Sequence, residues 1–140
     1  MMKLIGSALF SRRFISRDFV FATSVFTHML PDAVWQYFRQ IHRVLNQDGV
    51  FLGSFFILNA ESEKFMSDCQ FNFKRVHKDY GVINENNPEQ AIAYKEEFLE
   101  KIFEKVGFSI IPPLYYGGWS GRKGLVSGQD MLFLKKTSAL

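Results

Sequence analysis

Two apolar, strand-forming runs, residues 19–23 and 50–57, enclose a segment in which Val34, Phe38, Ile41 and Leu45 recur at helical spacing. That succession constrains the fold more than any other feature. Runs that are apolar without alternation suit strands buried on both faces, and neighbouring parallel strands need a crossover of a dozen or more residues, usually a helix. Pro31 and Asp32 suit the first turn of that helix, since proline lacks only an N–H that would be unpaired there and an early acid favours the helix dipole. The stretch 46–49, ending in Gly49, ends the helix, with Gly49 placed to take positive φ.

Residues 59–92 mix charges with Phe65, Phe71, Phe73 and Tyr80 and end in the polar 84–88 stretch. They read as a helical or loop insertion over one end of the sheet. A second helix is expected from about Tyr94 to Val106, its apolar face set by Phe98, Leu99, Ile102, Phe103 and Val106, with Gly107 as its stop. Residues 108–111 return to strand, Pro112 and Pro113 break it, a glycine-rich loop spans 115–128, and 131–134 form a last strand. The expected organisation is an amino-terminal segment (1–17), one α/β domain (18–136) with the insertion at 59–92, and a tail (137–140).

The 140 residues include sixteen Phe, five Tyr and two Trp, so aromatic side chains must fill much of the core. The formal charge of +3 is spread among interspersed acids and bases, which does not point to nucleic acid. The single cysteine, Cys69, cannot form an internal disulfide and belongs to no CxxC pair or His-rich cluster. A reducing, cytoplasmic setting without structural zinc is therefore expected, with Cys69 an incidental thiol. Residues 1–17 carry Lys3, Arg12, Arg13 and Arg17 and no acid. That composition fits an organellar targeting segment or a shortened amino terminus feeding the first strand. Its apolar run, 4–10, falls far short of the roughly 20 residues of a membrane span.

The run Asp18-Phe19-Val20-Phe21-Ala22-Thr23-Ser24-Val25-Phe26-Thr27-His28-Met29 resembles the fourth strand and following loop of class I S-adenosylmethionine-dependent methyltransferases. The sequence Phe38-Arg39-Gln40-Ile41-His42-Arg43-Val44-Leu45, followed by Asn46-Gln47-Asp48-Gly49, is similar to that family's helix and its turn into the fifth strand. Residues 96–108 resemble the helix leading to the sixth, and Gly118-Trp119-Ser120-Gly121-Arg122 with Gln129-Asp130-Met131 resembles a carboxy-terminal hairpin of one branch. Four pieces in the right order, over residues 18–136, imply a truncated Rossmann-like methyltransferase fold. Its sheet would be mainly parallel, with an antiparallel carboxy-terminal hairpin. A non-catalytic partner-binding module on the same scaffold is the alternative.

The family's glycine-rich loop, of GxGxG type, and the acid that ends its second strand have no counterpart in this sequence. Those elements hold the cofactor's carboxypropyl and ribose parts through close backbone approach and carboxylate hydrogen bonds. Cofactor affinity of these residues alone is therefore expected to be weak. The glycines of 117–128 do not replace them, because Lys123-Gly124 lacks the following Ser or Thr of a phosphate loop.

By resemblance, Ala22, Thr23 and Ser24 adjoin the methionine portion of S-adenosylmethionine, while Phe26 and His28 lie nearer a small-molecule acceptor. His28 is the candidate base, since imidazole titrates near neutrality, although a structural hydrogen-bonding role is the commoner fate of a loop histidine. Tyr115, Trp119 and Arg122, with Tyr116, are candidate acceptor-pocket residues, because aromatics beside a guanidinium recognise planar or anionic groups. The competing expectation is that they cap the core, with Arg122 paired to Asp130. His42 reads as a boundary residue and His77 as part of a solvated basic face. No metal site is expected. The edge of the first strand needs a cover: residues 3–10 folding back, a second copy in a homodimer, or a missing amino-terminal half.

Overall fold

The computed structural model describes residues 17–123 and 127–137. The 3–10 segment expected as a surrogate strand lies outside them. Strand β1 (Arg17–Ala22) runs parallel to β2 (Leu45–Phe55), and helix α1 (Pro31–Val44) connects the two. Strand β8 (Asp130–Lys136) is antiparallel to both β2 and β7 (Phe108–Tyr115), in the order β1-β2-β8-β7. β1, β2 and β7 therefore share one direction and β8 alone opposes them, a mixed sheet in which the β1–β2 ladder is parallel and the β8 ladders are antiparallel, with the carboxy-terminal hairpin that the resemblance implied.

Helix α1 starts on Pro31 and needs no loop at its end, because Leu45 already belongs to β2. Its terminal carbonyls find a cation from the far end of the chain: Lys136 Nζ donates to the carbonyls of His42 at 2.6 Å and Leu45 at 2.7 Å. Helix α3 (Glu96–Val106) stops at Gly107, whose φ of 101° and N–H bonds to the Phe103 and Glu104 carbonyls close it as expected. Both helices bury their apolar stripes against one face of the sheet. Phe26, Phe38, Phe51, Phe55 and Phe103 interlock there, with Phe26 stacked on Phe38 at 4.9 Å and on Phe55 at 5.0 Å.

Several boundaries differ from the sequence expectation. The turn at 46–49 is absorbed into β2 as a register irregularity against β1, and it is Asp48, not Gly49, that takes positive φ (63°). Gly49 is needed for space instead, since a Cβ there would sit 2.8 Å from the Asn46 carbonyl oxygen. The run 50–57 serves two sheets. After β2, residues Ile57–Leu58 form β3, which is parallel to β6 (Ile92–Lys95) in a second sheet ordered β3-β6-β5-β4, completed by β5 (Tyr80–Val82) and β4 (Arg75–Val76). The insertion is therefore largely a small sheet with a short helix, α2 (Ala60–Phe65), rather than helix or loop alone. Tyr94 ends up in β6, and α3 begins two residues later. β7 continues through Pro112 and Pro113 with a register irregularity after Ile111. An edge strand tolerates proline, whose missing N–H costs no ladder bond on the outer side.

Strand alternation explains how the two sheets share a core. Phe55 and Ile57 enter the large cluster beneath α1 and α3, whereas Phe56 and Leu58 enter a second one with Met66, Phe73, Ala91, Ala93 and Trp119. The opposite face of the main sheet carries a row straight across all four strands, Phe21, Leu52, Phe133 and Ile111. These side chains are half-buried and join neither cluster, and Phe19 beside them is 48% exposed.

Candidate functional site

In an open sheet of like-directed strands, ligands sit beyond the carboxy ends, where loops diverge. At the end of β1, Ala22 is half-buried and Thr23 and Ser24 are exposed. Ser24 adopts φ of 54°, a left-handed conformation costing a non-glycine residue roughly 1–2 kcal/mol. Its compensation is local. The Ser24 N–H donates to Ser54 Oγ at 2.8 Å, Ser54 Oγ donates to Gln129 Oε1 at 2.6 Å, and Gln129 Nε2 donates to Ser24 Oγ at 3.0 Å. This ring of three side chains joins the ends of β1 and β2 to the start of β8. Sequence reasoning singled out Ser24 alone, because Ser54 and Gln129 are 30 and 105 residues away from it and nothing local marks the contact.

His28 lies in a single 3-10 turn, Phe26–His28, facing the insertion. Its Nδ1 is 2.9 Å from the Glu89 carbonyl oxygen, which can only accept, so Nδ1 carries a proton, and in the neutral imidazole the lone pair is then on Nε2. Phe26 is fully buried between Phe38 and Phe55. Its ring is core and offers no wall to a ligand. His42 is half-buried, its Nε2 3.3 Å from the Thr137 carbonyl oxygen, and burial lowers its pKa. His77 pairs with Glu85 at 3.0 Å and stacks on Tyr80.

The carboxy-terminal loop separates the residues that sequence reasoning grouped together. Tyr115 is 38% exposed and packs edge-on against Phe133, on the row of half-buried apolar residues. Trp119 turns inward to Phe56 and Phe73 and donates its indole N–H to Asp130 Oδ2 at 2.7 Å. Asp130 also accepts from the N–H groups of Ile57 and Gly117, both at 2.7 Å. Burial pushes its carboxyl above the ordinary range, opposed by those three donors and by the charge of Arg122.

Arg122 is buried, but its partners are Asn59 Oδ1 at 2.8 Å and Glu61 at 3.3 Å, with Tyr116 4.3 Å beneath the guanidinium. The expected direct Arg122–Asp130 pairing is replaced by this clamp onto the start of α2. Tyr116 in turn donates to Glu96, and burial and that carboxylate raise its pKa. Beside the clamp, Asn59, Lys95, Glu63, Glu96, Glu97 and Glu100 line a cavity of about 370 Å³. A second cavity, about 440 Å³, opens between Phe56, Phe71, Trp119, Gln70 and Gln129. Among the described residues no cluster of His, Cys, Asp or Glu suits a metal, and no helix is long and apolar enough to cross a membrane.

This α/β arrangement, with one reversed strand in the main sheet, is similar in fold to solved S-adenosylmethionine-dependent methyltransferases. A methyltransferase from Methanosarcina mazei superposes with TM-score 0.59 at 15% identity, covering 94% of this chain and 65% of that one. The 1,6-didemethyltoxoflavin-N1-methyltransferase of Burkholderia thailandensis, with bound 1,6-didemethyltoxoflavin and S-adenosylhomocysteine, gives 0.56 at 17% identity over 93% and 48%. A methyltransferase from Clostridium acetobutylicum gives 0.58 at 13% over 95% and 63%. The chain thus spans roughly half to two thirds of the length of these proteins. No protein-family model matches it.

Proposed function

We propose that this chain forms the acceptor-side portion of an S-adenosylmethionine-dependent methyltransferase acting on a small molecule. The observation that carries the reading is the strained Ser24 turn, tied to Ser54 and Gln129 at the strand ends of a methyltransferase fold. The exposed positions Thr23 and Ser24 fit the methionine end of the cofactor. No glycine-rich loop in these residues fits its nucleoside end, so a further segment, pairing at the β1 edge and covering the Phe21–Leu52–Phe133–Ile111 row, would supply it. The chain alone is then inactive. The Burkholderia enzyme's small heterocycle supports a small-molecule acceptor here.

The cofactor supplies a methyl group on a sulfonium, and the protein's work is to align the acceptor and accept its proton. With S-adenosylmethionine bound, methyl transfer would leave the acceptor's proton to be taken by a base of this chain. His28 Nε2 is free for that proton, because Nδ1–H is held by the Glu89 carbonyl. Trp119 and Arg122 act on the acceptor side through pocket shape, Trp119 as a wall and Arg122 by fixing the loop onto α2.

Amide chemical shifts recorded with S-adenosylmethionine test the reading. The chain alone should bind it with a dissociation constant near or above about 1 mM, perturbing Ala22, Thr23, Ser24 and Gln129 but not Arg75–Val76. Absence of any localised shift at several times that concentration would favour the partner-binding module instead.

A further inference from the structure

We infer that the cavity between the insertion and the hairpin loop binds a neutral, planar aromatic or heteroaromatic ring with a hydrogen-bonding edge. Its volume of about 440 Å³ falls within the range of small-molecule sites. Phe56 and Phe71 meet at 4.8 Å between centroids and Phe56 and Trp119 at 5.3 Å, so the walls are ring faces and edges set at an angle. The Trp119 N–H is already committed to Asp130, which leaves the indole to offer hydrocarbon and π surface to a guest. Among the described residues no charged side chain lines the cavity, so an anion or cation buried there would find no partner among them and would pay its desolvation cost unrelieved. The other cavity, walled by four glutamates and one lysine, provides the contrast.

Polarity enters from Gln129 and Gln70. A primary amide carries two donors and an acceptor oxygen with two lone pairs. Gln129 spends one N–H on Ser24 and one lone pair on Ser54, so one of each is left to meet a lactam-like or amidine-like edge. Because Gln129 belongs to the ring of side chains that fixes the Ser24 turn, a guest bonded to it adjoins the end of β1. Calling that guest a methyl acceptor rests on the function proposed above; its binding does not.

The test needs no cofactor. Titrate the isotopically labelled chain with carbostyril, a neutral bicyclic lactam, and with caprolactam, its aliphatic counterpart, following the two indole N–H signals, assigned through Trp35→Phe. Carbostyril should saturably shift the Trp119 signal and the Gln129 side-chain amide with a dissociation constant at or below about 1 mM, while caprolactam and the Trp35 signal stay silent. Phe71→Ala, at a half-exposed position, should weaken carbostyril by about five- to tenfold, the worth of one aromatic contact. Gln129→Leu, checked for retained signal dispersion, should weaken it as well. An unmoved Trp119 signal, an equal response to caprolactam, or full affinity in Phe71→Ala would each overturn the inference. A positive carbostyril result with no S-adenosylmethionine shift would leave the pocket standing and remove only its catalytic meaning.

Discussion

Asp130 offers the sharpest stability test, because one carboxylate ties three parts of the chain together. It accepts from the Ile57 N–H where the two sheets meet, from the Gly117 N–H at the hairpin neck, and from the Trp119 indole, each at 2.7 Å, and it is almost fully buried. Asp130→Ala strands all three donors, and an unsatisfied buried donor costs about 1–3 kcal/mol. Relief of the carboxylate's own burial penalty, which is what raises its pKa, returns part of that sum. The net loss expected is about 3–5 kcal/mol, the range for breaking a buried polar network. Asp130→Asn can keep its oxygen toward Ile57 and Trp119 and sets its NH₂ against only the Gly117 N–H, so it should cost roughly 1 kcal/mol. Urea midpoints at fixed pH, with equal m-values, measure both. The pH dependence gives a second reading. A raised folded pKa means the native state holds this proton more tightly, so the carboxyl's contribution is fully present below about pH 4 and declines as pH rises through the folded value. The stability of the parent minus that of Asp130→Asn should fall accordingly over that window. A loss under about 1 kcal/mol for Asp130→Ala, or a difference that grows with pH, would refute the reasoning.

His42 should behave in the opposite sense. Burial lowers its folded pKa below 6.5, so its neutral form contributes stability above about pH 6.5 that is lost as pH falls through the folded value; His42→Gln should remove that acid-side loss in thermal melts at stepped pH. Thr27 is buried with its Oγ1 unpartnered, so the near-isosteric Thr27→Val should raise stability by about 1 kcal/mol in urea titrations, and destabilisation would mean the hydroxyl has a partner.

The sequence alone was enough to specify the elements whose signal is local. Periodicity at Val34, Phe38 and Ile41 marks α1, Gly107 marks the end of α3, and the apolar runs mark where β1 and β2 lie, although the second run is divided between β2 and β3. The helical stripes survive because their burial requires the same residues in any tertiary context, whereas β1 is a strand in which only Val20 is buried and Phe19 is 48% exposed, not the strand buried on both faces that its unbroken apolar run implied. The insertion was illegible for the opposite reason: β4, β5 and β6 are only two, three and four residues long, too short for a period to show, and they exist because β3 offers them a partner. The site divides along the same line. Residues 22–24 and His28 are candidates only through the family resemblance of the run that contains them. The Ser24–Ser54–Gln129 ring, the Asp130 anchor and the Arg122 clamp on Asn59 and Glu61 join residues that only the folded sheet brings within hydrogen-bond distance. Hydrophobic pattern is written along the chain, whereas hydrogen-bond partnership at strand ends is fixed by register and loop closure, which become defined only once the layers have packed.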